Sequence, residues 1–177
     1  MIWLNVLLLI FAQAAIAPAP SAPEKTGVYF RQNDSGWITL QPAVVSDSKT
    51  KGMGLFVYSG GYTNLDVDVT CPGARASTRI SVPKPTFYAR GIGSAKDAMI
   101  IRLTQKKDSR NFKTSFSNVT VDNKGGFRKG DIQKSETAAD ADGSFSITPE
   151  RELAPGEYLL VLGSGVSGYD FGIDKLN

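Results

Sequence analysis

From residue 27 to the end, one pattern repeats: a short run in which apolar and polar side chains alternate, then a cluster of turn-forming residues. Successive side chains of a β-strand point to opposite faces, so alternation marks a strand with one face in a core. LDVDVTC places Leu65, Val67, Val69 and Cys71 on one face and Asp66, Asp68 and Thr70 on the other. YDFGID sets Tyr169, Phe171 and Ile173 against Asp170, Gly172 and Asp174. Val28 with Phe30, Ile38 with Leu40, Ile80 with Val82, and Phe145 with Ile147 make further inward pairs. EYLLVL, 157–162, is apolar on both faces and reads as a central strand.

Between these runs stand NDSG at 33–36, SGGY at 59–62, CPG at 71–73, NKGG at 123–126, DADG at 140–143 and APG at 154–156. Each carries the Gly, Pro or Asx chemistry of a tight turn. No stretch longer than about ten residues has a helical period. Helix is therefore expected to be limited to a turn or so, placed at GSAKDA, 93–98. Many short strands at this spacing mean a sandwich or a barrel, and faces with one wet side favour an antiparallel sandwich. There is no internal repeat. With 177 residues and 41% hydrophobic content, the chain is long and apolar enough to bury one real core.

The start has a different texture. An apolar run from Ile2 to Phe11 precedes small residues, as in a secretory signal peptide. To Ala17 the run is shorter than the roughly 20 residues that span a bilayer. A cut after Ala15-Ile16-Ala17 would leave Pro18 at the new terminus, whereas Ala12-Gln13-Ala14 avoids this. The expected organisation is a signal peptide at 1–14, a Pro/Ala-rich tether at 15–26 and a single β-sandwich domain at 27–177. No Lys or Arg precedes the apolar run, so a retained anchor is the alternative to cleavage. The expected location is secreted or periplasmic. Cys71 is the single cysteine, so no disulfide within the chain can support the fold.

Residue types exclude much chemistry. Without any histidine there is no Ser-His-Asp triad, no Cys-His pair and no His-based metal site. Cys71 continues the apolar face of its strand and reads as a buried structural thiol. GSGVSG, 163–168, matches the dinucleotide-binding glycine pattern, but only nine residues follow it and they alternate like a strand. It is a flexible join between the last two strands. DADG aligned as a calcium loop would need an acid where Ala138 stands and a glutamate where Pro149 stands. A hairpin turn is expected there, with weak cation holding by Asp140 and Asp142 as the alternative. Glu150, Glu152 and Glu157 are the carboxylates that a small glycan-active enzyme could pair. No cofactor and no metal site are expected.

Two segments resemble known families. TAADADGSFSITPERELAPGEYLLVL, 137–162, is similar to the ending of prealbumin-like and immunoglobulin-like bacterial modules. That resemblance implies an all-β, antiparallel immunoglobulin-like β-sandwich. Within it Gly143 supplies the positive φ of a tight turn, Pro155-Gly156 turns the chain between sheets, and Tyr158 returns its hydroxyl to the corner backbone. LTQKKDSRNF, with the preceding DAMIIR, GVYF near the start and PGEY near the end, resembles an uncharacterised family of secreted proteins, chiefly acidobacterial. The resemblance implies a fold and a location, and no activity.

Charge is unevenly spread. Residues 102–134 hold nine basic and three acidic side chains, and 135–177 hold two and eight. The densest basic run is LTQKKDSRNFKTSF, with Lys106, Lys107, Arg110 and Lys113 against Asp108. Met99, Ile101 and Leu103 before KKDS, and Phe112 and Phe116 after it, fall on inward parities, so the run caps a hairpin. Lys106, Lys107 and Arg110 are expected at an exposed tip, with Met99, Ile101, Leu103 and Phe112 in the core. Such a tip is either a solvated loop or an anion-binding surface. Nucleic acid is not the expected partner, because no Trp or Tyr lies within 103–116 to stack on bases. The reading that follows is a non-enzymatic interaction or structural module of the cell envelope, its partner a protein or a glycan. The alternatives are a polyanion- or carbohydrate-binding module centred on the basic tip, and a carboxylate-based glycan-active enzyme.

Overall fold

A computed structural model describes residues 23–31, 36–51, 53–59, 65–116, 126–163 and 168–175. The expected signal peptide and residues 15–22 of the tether lie outside these, as do the interiors of NKGG and GSGVSG. The described chain is essentially all-β, its strands forming two sheets.

The first sheet is built from β1 (Gly27–Arg31), β2 (Trp37–Thr39), β6 (Phe87–Arg90), β11 (Ser135–Ala139) and β12 (Phe145–Pro149). Its order is β11-β12-β6-β1-β2, with every pairing antiparallel. The second sheet contains β3 (Asp47–Lys51), β4 (Leu65–Pro72), β5 (Arg79–Ile80), β7 (Met99–Gln105), β8 (Ser109–Phe116), β13 (Gly156–Val161) and β14 (Tyr169–Ile173). It runs β3-β4-β8-β7-β13-β14-β5, and only the short β14–β5 pairing is parallel. The one described helix is α1 (Met53–Tyr58), in the connection between β3 and β4. GSAKDA, where a helical turn was expected, is a turn without helix.

The first core lies between the sheets. Val28, Phe30, Phe87, Ala89, Phe145 and Ile147 face Ile80, Ile100, Tyr158, Leu160, Phe171 and Ile173. Phe87 and Phe171 meet across the gap with ring centroids 4.7 Å apart, and Tyr158 stacks on Phe171 at 5.5 Å. Ile100 lies on the parity opposite to Met99, Ile101 and Leu103, so β7, like β13, is covered on both faces.

A second core arises because β7 and β8 diverge. They pair only beside their turn, at Thr104–Asn111 and Gln105–Arg110. Further along, β9 (Gly126–Phe127) pairs with β8, and β10 (Ile132–Gln133) pairs with β7. The wing β3-β4-β8 thereby contributes Val69, Cys71 and Phe112, with Phe127, to a cluster with Met99, Ile101, Leu103, Leu159 and Val161. β13 is consequently covered on both faces, which is why EYLLVL needs no polar side. The expectation for Met99, Ile101, Leu103 and Phe112 holds, whereas the side chain of Phe116 lies outside the described residues.

Corners behave as the local chemistry dictates. The DADG turn joins β11 to β12 with Gly143 at a φ of 79°, a left-handed conformation that glycine adopts without a Cβ clash. Beyond β12 the chain leaves the first sheet and enters β13 of the second after Pro155. There the Tyr158 hydroxyl donates to the carbonyl of Ala154 at 2.6 Å. Tyr29 makes the same bond four residues back, to Lys25 at 2.9 Å, so a second such corner opens β1.

Candidate functional site

The basic run does not stay together. Lys106 and Lys107 sit exposed in the turn between β7 and β8, as expected. Lys113 is exposed on the outer face of β8. Arg110 contradicts the expectation: it is only 4% exposed. Its Nη1 donates to the Asp170 carboxylate, its Nε to the Gly73 carbonyl at 3.0 Å and its Nη2 to the Pro72 carbonyl at 2.8 Å. The reason is parity. Arg110 shares the inward face of β8 with Phe112 and Thr114, both buried, while Asn111, Lys113 and Ser115 face outward. Alternation already contained this signal, since an arginine two residues before an inward phenylalanine points inward as well.

Asp170 corrects a second expectation. The polar face of YDFGID is not wet, because Asp170 and Gly172 are buried on the side of the second core. Beside them Arg79 donates Nη1 to Glu157 Oε1 at 2.6 Å and Nη2 to Asp174 Oδ1 at 2.7 Å. The other Glu157 oxygen accepts the backbone N–H of Ala76 at 2.7 Å. A Cβ added to Gly172 would lie 1.6 Å from Arg79 Nη1, so the guanidinium passes over this glycine to reach Glu157. Buried charges persist when paired and hydrogen-bonded, as Arg110, Asp170 and Glu157 are. Together they clamp the 72–79 segment to β8, β13 and β14.

This removes Glu157 from the trio of carboxylates weighed for glycan chemistry. Glu150 and Glu152 remain exposed and line a groove of about 220 Å³ with Lys134, Arg151 and Leu153, where the chain crosses between sheets. Cys71 is fully buried, and that burial pushes its thiol pKa up, against the pull of the neighbouring Arg110, so it has no thiolate to offer. Asp140 and Asp142 serve their own turn. Both accept from the Ser144 hydroxyl, and Asp142 also pairs with Arg90. No cluster of metal-ligating side chains occurs among the described residues.

What the wing does assemble is a polar depression of about 280 Å³ on its outer face. The register across β3, β4 and β8 sets Lys49, Asp68 and Lys113 in one row, and Thr70 beside Asn111 and Thr104 in the next. Lys106 from the turn, and Arg128 and Asp131 from the β9–β10 connection, complete the rim. Four cationic and two carboxylate side chains line it, a net of two positive charges. Asp68 is already engaged, with Lys113 at 3.4 Å and Lys51 at 3.5 Å. Desolvation works against its ionisation, but the two lysines outweigh it and hold the carboxyl below the usual range. Asn111 is fixed as a donor to Thr70 Oγ1 at 2.6 Å and as an acceptor from Ser109 at 3.1 Å. The single aromatic lining residue, Phe112, is buried, so among the described residues the depression has charge and hydrogen-bonding groups without a stacking ring. Arg128 lies outside the densest basic run, and only the β9–β10 insertion brings it to Lys106.

No family model, no curated protein and no solved structure matches this chain.

Proposed function

We propose that the protein is an exported, non-enzymatic binding module on an immunoglobulin-like sandwich, and that it takes an anionic polymer, such as a charged envelope glycan, across the wing depression. The observation that carries this reading is the convergence of Lys49, Lys106, Lys113 and Arg128 around the hydroxyl and amide row of Thr70, Thr104 and Asn111. A concave surface with net positive charge concentrates anions and raises their rate of encounter. Threonine and asparagine suit the hydroxyls of a sugar backbone, and the absence of a stacking ring at the lining argues against nucleic acid. The export signal expected at 1–14 and the resemblance of LTQKKDSRNF to a family of secreted proteins support the location. Of the groups weighed for chemistry, Glu157 is buried and paired with Arg79, and Cys71 is buried with its thiol pKa raised, so neither serves this surface.

The test is retention on immobilised heparin under a salt gradient. The parent should elute late, and a Lys106→Ser, Lys113→Ser, Arg128→Ser triple variant should elute at clearly lower salt, since screening and charge removal act on the same interaction. Lys107→Ser, outside the depression, should elute with the parent. Equal elution of the parent and the triple variant would overturn the proposal.

A further inference from the structure

The connection from β3 to β4 leaves apolar side chains in water at the edge of the second sheet. α1 reads MGLFVY, with no acidic side chain in its first turn and no basic one in its last. Met53 is 51% exposed, Val57 68% and Tyr58 91%. At 100° per residue these three spread over an arc of about 140° of the helix surface. An amphipathic helix that docks in a protein groove buries one apolar stripe and keeps a polar face outward. The arc that Met53, Val57 and Tyr58 leave in water is apolar and ends in a tyrosine, which suits shallow burial in the interfacial layer of a bilayer. Lys49 and Lys51 lie on the strand that leads into it, both exposed, with the Lys51 ammonium 3.5 Å from Asp68. Their stems can lie along apolar surface while the ammonium groups stay at a polar, anionic boundary. Tyr58, at the helix end, has the ring and hydroxyl that favour the headgroup level of a bilayer.

We infer that α1 is a membrane-contact tip: it enters the interfacial layer of a bilayer containing anionic lipid, with Lys49 and Lys51 at the headgroups. The insertion is shallow, because six helical residues rise only about 9 Å. No described helix is long and apolar enough to cross a membrane, so this is contact and not spanning. Lys49 also lines the wing depression and Lys51 pairs with Asp68 there, so it is through Met53, Val57 and Tyr58 that the tip is tested separately from the depression.

A local probe tests it in the full chain, where the apolar run at 2–11 could bind vesicles by itself. Val57→Cys carries an environment-sensitive fluorophore, and Cys71 is buried and does not compete for the label. With phosphatidylcholine–phosphatidylglycerol vesicles the emission should shift to the blue and be quenched by lipids spin-labelled near the headgroup. The same label at Lys107→Cys should not respond. Adding Met53→Ser and Tyr58→Ser should raise the lipid needed for half the shift at least tenfold, and Lys49→Glu with Lys51→Glu should raise it as well. The Lys106, Lys113, Arg128 triple variant should leave it unchanged. No shift at position 57 across the lipid range overturns the inference. So does a shift that appears without lipid as protein concentration rises, which would mean a second copy covers the tip. An equal shift on purely neutral vesicles overturns the role of the anionic headgroup.

Discussion

Arg110 offers the sharpest test of how the wing is held. Its side chain is 5% exposed and that of Asp170 is 10%, so solvent screens their attraction little. Arg110→Ala strands the Asp170 carboxylate in the second core and takes donors from the Pro72 and Gly73 carbonyls. Breaking one side of a buried ion pair costs about 3–5 kcal/mol, because an uncompensated charge is left behind. For a domain of this size that corresponds to a fall in Tm of roughly 6–20 °C. Arg110→Met with Asp170→Leu removes both charges while keeping apolar volume, and should recover most of the loss, since apolar replacements of buried pairs are often neutral or stabilising. Lys106→Ala, a few residues away and exposed, should stay within about 0.5 kcal/mol of the parent. Equilibrium denaturation of the parent and these three variants measures this directly. If Arg110→Ala is as mild as Lys106→Ala, the buried pair does not hold the wing and the placement of Arg110 is wrong.

Two further substitutions probe the same architecture. Tyr158→Phe removes the 2.6 Å bond to Ala154 without altering the ring stacked on Phe171, and should cost on the order of 1 kcal/mol in denaturant unfolding. Unchanged midpoints would mean the corner bond contributes nothing. Gly172→Ala drives a methyl into the Arg79 guanidinium and should destabilise by about 1–3 kcal/mol, the usual cost of overpacking. Arg79→Ala in the same background should make Gly172→Ala nearly silent, and a persistent penalty would show that the strain lies elsewhere.

Local pattern was enough for much of this protein. Alternation assigned the inward members of β1, β12 and β14, and the doubly apolar EYLLVL identified the strand that both cores share. Gly143 and Tyr158 were readable because a tight turn and a corner bond involve only neighbours along the chain. Arg110 was also within reach, since its parity matched that of Phe112, but parity was overridden by the habit of placing charges in water. Parity says which side chains share a face; it cannot say what covers that face. Asp170 and Glu157 occupy polar positions that the 72–79 segment and β8 cover only after folding, when Arg79 and Arg110 arrive from distant strands to pair with them. The depression is likewise a product of register. Lys49, Lys106, Lys113 and Arg128 span 80 positions of sequence, and they meet because β7 and β8 diverge and admit the β9–β10 insertion between them.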